Sequence, residues 1–204
     1  MTLNPSFAEG DDFWVSARSS PRYGIRGSFA THLVPVEKPH IEYFPPSTKH
    51  NYTIALEKHN VPLISHEVGQ FQVSPDFKDI PKFTGVTRAR NFEIFRDRLT
   101  KANMLDQADD FVRASGKLAV ICYREDIEAA LRTPDMTGFQ LLDIQDYPGQ
   151  GTALVGILND FMERKGLITP EEWSRVCCEV GPLLKMEKYT WTSGERFSGE
   201  IEIA

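Results

Sequence analysis

The chain has 204 residues, with 23 Lys+Arg against 29 Asp+Glu for a formal net charge of −6, and 41% of its residues are hydrophobic. At roughly 150 residues per domain this is one full domain, or one plus part of another, with apolar content ample for a sizeable core, which excludes wholesale disorder. The acidic balance argues against a nucleic-acid binder, which usually shows a basic patch or stripe, and no apolar run approaches the ~20 residues that span a bilayer.

Met1-Thr2-Leu3-Asn4-Pro5-Ser6 lacks the basic-then-apolar pattern of a signal peptide. Phe13-Trp14-Val15 reads as a short strand and Gly27-Ser28-Phe29-Ala30 as a weaker one, before Pro45-Pro46-Ser47-Thr48 breaks the chain. Asn51 to Lys58 reads as a short helix. Val61-Pro62-Leu63-Ile64-Ser65 is a brief apolar run closed by His66-Glu67, the pattern of a buried parallel strand.

Phe92, Phe95 and Leu99 recur at helical spacing, with Arg90, Glu93, Arg96 and Asp97 on the other face. Asp106 to Arg113 and Leu118 to Arg132 continue the helical pattern, which ends before Pro134. Phe139 to Asp143 reads as another strand. It leads through Pro148-Gly149-Gln150-Gly151 into an expected helix with Leu154, Ile157, Leu158 and Phe161 on its apolar face and Gly166 as its stop. Thr169-Pro170-Glu171-Glu172 is a capping box with proline at the first helical position. Phe197 to Ile203 alternates apolar and polar residues, the signature of a half-exposed antiparallel strand. Short apolar strands alternating with amphipathic helices imply parallel βα units, in an open sheet or a barrel.

The polar residues gather where those strands end, at His66-Glu67 and at Asp143-Ile144-Gln145-Asp146, and in parallel α/β folds chemistry resides at the carboxyl ends of strands. His66-Glu67-Val68-Gly69-Gln70 opens like a zinc-protease helix, but the second histidine is replaced by Gln70. Glu67, placed rigidly after an apolar strand, suits a nucleophile or general base. Asp143, Gln145 and Asp146 suit sugar hydroxyls, each of which donates and accepts a hydrogen bond. Trp14, Phe44, Tyr147 and Trp191 are candidates to stack on a sugar face. Gly149-Gln150-Gly151 lacks the third glycine of a dinucleotide fingerprint, and Gly151 to Gly156 is followed by Ile157-Leu158 rather than Lys and Ser/Thr, so neither nucleotide motif is complete. Cys122, Cys177 and Cys178 offer no zinc-ligand spacing. No GxSxG elbow is present.

Val61 through Gln70, followed by Thr137-Gly138-Phe139-Gln140-Leu141-Leu142-Asp143 and by the run from Leu141 to Gly156, resembles glycoside hydrolase family 2, in its β-galactosidase-like members. The resemblance spans roughly residues 10 to 200 and is densest from 61 to 194. It implies a partial (β/α)8 TIM barrel, about strands 5–8, over residues 1–188, with the first strand of a following β-sandwich domain at 189–204. It implies a retaining, double-displacement mechanism with Glu67 as nucleophile, and His66, Gln70, Asp143, Gln145 and Asp146 as candidate sugar contacts. The family's acid/base is the Glu of an Asn-Glu pair, a dipeptide this sequence does not contain. On that reading the chain is a fragment, inactive alone, of an enzyme acting on a carbohydrate, with no cofactor or metal and no nucleic-acid or membrane partner. Its exposed barrel edges would favour homo-oligomers, and the full-length parent would be periplasmic or secreted. Two alternatives stay open: a non-catalytic carbohydrate-binding or assembly module derived from the same fold, and an α/β enzyme of another type with Glu67 as general base.

Overall fold

The structure, a computed structural model, describes residues 14–15, 47–56, 62–151 and 153–204. Their elements, in chain order, are β1 (Trp14–Val15), α1 (Thr53–Leu56), β2 (Leu63–Val68), a 3-10 turn (Phe77–Lys82), α2 (Arg90–Lys101), a second 3-10 turn (Leu105–Gln107), α3 (Ala108–Leu131), β3 (Met136–Leu141), α4 (Pro170–Ser174), β4 (Pro182–Lys185) and β5 (Glu200–Ile203). The weak strand expected at 27–30 lies outside the described residues, as do the last two residues of the helix expected at 51–58.

The chain divides into two units. One comprises 1–69, 122–141 and 170–204; the other 70–121 and 142–169, with the division falling inside α3. In the first unit β1, β2 and β3 form a parallel sheet in that order, neighbours in space as in the chain. The apolar run that begins at Val61 becomes the central strand, and Leu63, Ser65 and Val68 are buried there as a strand paired on both sides requires. Val68 pairs with Leu141, so both strands finish at the same end of the sheet. β3 begins three residues before the run expected from sequence, because Asp135 turns with φ +65° and Met136 already pairs with Leu63.

The carboxyl half of α3 supplies Tyr123, Ile127, Ala129 and Ala130 to this unit's core. It also carries a buried ionic network. Arg132, its side chain 1% exposed, pairs with Glu128 at 3.3 Å and Glu125 at 3.5 Å, and its Nε donates to the His50 carbonyl. Glu125 in turn accepts from the Tyr189 hydroxyl. β4 and β5 pair antiparallel, Pro182 with Ile203 through Lys185 with Glu200, so the expected domain boundary at 188/189 falls between two strands of one sheet. β5 has the expected alternation, but Ile201 and Ile203 face outward, 69% and 68% exposed.

In the second unit the two expected helical stretches around Ser115-Gly116 are one continuous helix. Ser115 Oγ donates back to the Phe111 carbonyl at 2.6 Å, so its hydroxyl is satisfied within the helix. Gly116 is where Leu167 packs, since a β-carbon there would stand 2.3 Å from Leu167 Cδ2. Val73, Val112, Ala119 and Leu167 form one core cluster, and Ala89, Phe92 and Leu154 another. Asp76 caps the first 3-10 turn by accepting from the Lys78 N–H.

The helix expected over 154–161 is absent; the segment is an extended, looping stretch. Ile157 and Leu158 N–H groups donate to the Ile144 carbonyl, and Asp146 N–H to Leu158. The reason is close backbone approach: Gly156 lies so near Gln145 and Asp146 that a β-carbon would stand 2.2 Å from the Gln145 carbonyl carbon. Asn159 Oδ1 accepts from the Phe161 and Glu163 N–H groups, so those amides serve a side-chain turn instead of a helical ladder.

Candidate functional site

β2 delivers its last residues into an unusual turn. Glu67 has φ +52°, Gly69 +103° and Gln70 +72°. Left-handed backbone at a non-glycine residue costs of order 1–3 kcal/mol and persists only where the surroundings over-determine it, frequently at functional positions. Glu67 is half-buried at the carboxyl end of a strand held on both sides. His66 lies on β2 immediately before it.

The structure fixes this turn from α3. Gly69 packs directly on the Tyr123 ring, with a hypothetical β-carbon 2.0 Å from Cε1, so no larger residue fits there. Asp126, fully buried on the same helix, lies near this turn. Burial raises the Asp126 pKa well above the carboxylate range, the Gly69 N–H opposes that shift, and the negative Glu125 adds to it. Sequence reading missed Asp126, yet a signal was there: it interrupts the apolar stripe of Ala119, Tyr123, Ile127 and Ala130 with an acid.

Gln70, Asp143, Gln145 and Asp146 belong to the second unit. Gln70 is half-buried and follows the turn directly. The Leu142–Asp143 peptide is cis, and the Asp143 carboxylate accepts from the Ile144 N–H at 2.6 Å. Gln145 is half-buried and bridges to Leu158.

Asp146 is different. It is 3% exposed, takes Lys165 Nζ at 2.7 Å and accepts from the Gly156 N–H at 2.9 Å. Burial raises its pKa, with Lys165 pulling the other way. Its carboxylate is engaged within the loop and serves to fold it.

A second polar knot lies in the same unit. Buried Asp79 accepts twice from Asn159 Nδ2, at 3.1 Å each, and pairs with Lys82, which also pairs with Glu163. Both oxygens of Asp160 are buried without a hydrogen-bond partner among the described residues. Burial, then the neighbouring Asp146, raise its pKa to about 6. Among the described residues no group of three or more His, Cys, Asp or Glu is placed to hold a metal ion.

Of the aromatic candidates, Tyr147 is exposed and its ring covers Gly149, whereas Trp191 is occupied by an edge contact with Phe197 and by Lys188 over its face. Phe44 lies outside the described residues. Cys122 is buried, with a thiol pKa pushed up to about 11 by burial, Asp126 and Glu125, and is thereby unsuited to act as a nucleophile. Compared with protein-family models and with curated proteins, the sequence matches none.

Proposed function

We propose that the chain contributes the nucleophile half of a retaining glycosidase site acting on β-galactoside-like carbohydrates, within a partial (β/α)8 barrel. The observation that carries this reading is Glu67: a carboxylate at the carboxyl end of the central parallel strand, on strained left-handed backbone. The parallel order β1-β2-β3, consecutive in space, is compatible with a barrel segment, as it is with half of a doubly wound sheet. His66, next to Glu67 on β2 in the same unit, is a sugar contact in this reading.

The chemistry is a double displacement. A Glu67 oxygen attacks the anomeric carbon while the bond to the leaving oxygen breaks and that oxygen takes a proton from a second carboxyl group. Water then gives its proton to the same second group and attacks the anomeric carbon, releasing Glu67. The two carboxyls must lie about 5–5.5 Å apart. The chain has no Asn-Glu pair to supply the second one.

A leaving group that needs no proton tests the nucleophile by itself. Treating the complete natural polypeptide that contains this chain with 2-deoxy-2-fluoro-β-galactosyl fluoride, and with its gluco and manno counterparts, is expected to leave a fluoroglycosyl ester on the Glu67 peptide by mass spectrometry. Glu67→Gln should remove the label and lower turnover by orders of magnitude while leaving sugar binding. Labelling elsewhere, or turnover near normal in Glu67→Gln, overturns the assignment. The absence of an Asn-Glu pair favours one other reading, a carbohydrate-binding module that has lost the chemistry; it is favoured if sugars bind and none of the fluorides labels.

A further inference from the structure

The second unit holds a pocket of about 220 Å³, lined by residues of that unit alone. Two helices contribute to it. Phe95 and Leu99 of α2 are four residues apart, and Ala108, Phe111 and Ser115 of α3 follow at intervals of three and four, so each set shares one helix face. Phe77, in the first 3-10 turn, and the buried Leu154 add to the lining.

Hydrogen bonds fix the segment that runs past this space. The Val73 N–H donates to the Leu154 carbonyl at 2.8 Å, and the Ser74 N–H donates to Ser115 Oγ at 2.9 Å. Both residues line the pocket, so this stretch is tied to Leu154 at one position and to α3 at the next.

The lining defines what fits. None of its residues is charged. Lys78 and Asp109, chain neighbours of Phe77 and Ala108, are spent on each other at 2.8 Å. An entering ion would therefore lose water without gaining a partner. The rings point to an aromatic guest. Phe83, Phe92 and Phe161 of the same unit pair edge to face, whereas Phe77, Phe95 and Phe111 make no ring pair among the described residues. Phe95 is also 38% exposed. A guest ring would give these three the offset or edge contacts that they lack, beyond the gain from burying apolar area. Size agrees, since an apolar void of about 150 Å³ already takes benzene, and this one leaves room for a fused ring or a substituent.

We propose that this pocket binds a small uncharged aromatic molecule, of about the size of indole, between α2 and α3. The site uses no residue of the strand that carries Glu67 and stands or falls apart from the glycosidase reading.

The test uses the complete natural polypeptide that contains this chain, with indole as the probe. Calorimetry is expected to show saturable, one-to-one binding. Indole-3-acetate, the same ring with a carboxylate, should bind at least about tenfold more weakly because its charge finds no partner. Leu99→Trp and Ala108→Phe each place a ring of the protein's own in the space. Both are expected to melt cooperatively and to weaken indole at least about tenfold, a loss of about 1.4 kcal/mol or more.

A second measurement needs no variant to fold. With phenylalanine-selective carbon-13 labelling of the unsubstituted protein, indole protons should show nuclear Overhauser contacts to phenylalanine rings. Absence of saturable binding up to the solubility of indole overturns the proposal. So does binding without contact to any phenylalanine ring, parent-like affinity in the folded Leu99→Trp and Ala108→Phe proteins, or indole-3-acetate binding as tightly as indole.

Discussion

His50 shows how one residue couples the buried network of the first unit to acidity. Burial, and then the Arg132 charge, lower its pKa from 6.5 to about 4. The folded protein therefore binds this proton only near pH 4, whereas the unfolded chain binds it below about 6.5. Stability from His50 is complete above that value and is lost as pH falls between the two, by up to about 3 kcal/mol at 1.36 kcal/mol per pH unit. Thermal melting between pH 7 and 4 should show a falling midpoint for the parent chain and a flatter profile for His50→Gln, which keeps the ring-sized polar group but cannot take the charge. Parallel profiles would mean that the imidazole is solvated after all. Nothing in the local sequence announces this, because the neighbour is Arg132, 82 residues later, whose Nε donates to the His50 carbonyl. The strand that carries Glu67 is the opposite case, legible from its own residues because a short apolar run bounded by breakers suits a buried strand.

At the scale of elements, the segment Asp143–Lys165 is held by two contacts that no periodicity reveals, the fit of Gly156 against the Gln145 backbone and the buried Lys165–Asp146 pair. Gly156→Ala must push backbone, not a flexible side chain, so it is expected to destabilise the loop severely. Lys165→Met leaves Asp146 buried without its cation, and breaking such a pair costs about 3–5 kcal/mol. Replacing both, Asp146→Leu with Lys165→Met, should recover much of that loss. Hydrogen exchange across residues 143–165 checks all three, and a double variant no better than Lys165→Met alone would show that the Asp146 bond to the Gly156 N–H dominates. The same contacts explain why this stretch is not the helix its spacing predicts. Leu154, Ile157, Leu158 and Phe161 have helical spacing, but Gly156 and Asn159 bind partners ten residues away or turn the chain locally, and pairing of that range leaves no trace in spacing. Where the competing interactions are local, sequence and structure agree: the capping box at Thr169 starts α4 at Pro170, and the apolar run before Glu67 is the central strand. Ser115-Gly116 are weak helix formers and predict a break in α3; the helix continues because Leu167 packs on Gly116, a contact from 51 residues away that spacing does not show.

For the molecule as a whole, the decisive quantity is apolar surface left uncovered against net charge. Cross-strand pairing puts Pro182 and Leu184 of β4 on one face with Ile203 and Ile201 of β5, and the two isoleucines are more than two-thirds exposed. β5 also has a strand neighbour on one side only among the described residues, and an unpaired edge beside an apolar face is a template for association. Opposing this is a charge of −6 spread over 204 residues. At physiological salt the Debye length is about 8 Å, so repulsion between copies is largely screened while apolar burial is not. Association should win. The 204-residue chain by itself is expected to sediment as a dimer or larger, with sulfate strengthening the association and Ile201→Lys with Ile203→Lys weakening it. If charging β5 leaves the assembly intact, the seam lies instead on the edges of the parallel sheet, where β1 and β3 each pair on one side among the described residues. A monomer with a sharp unfolding transition would show that neither surface is adhesive, and would remove the exposed-edge argument for a partial barrel.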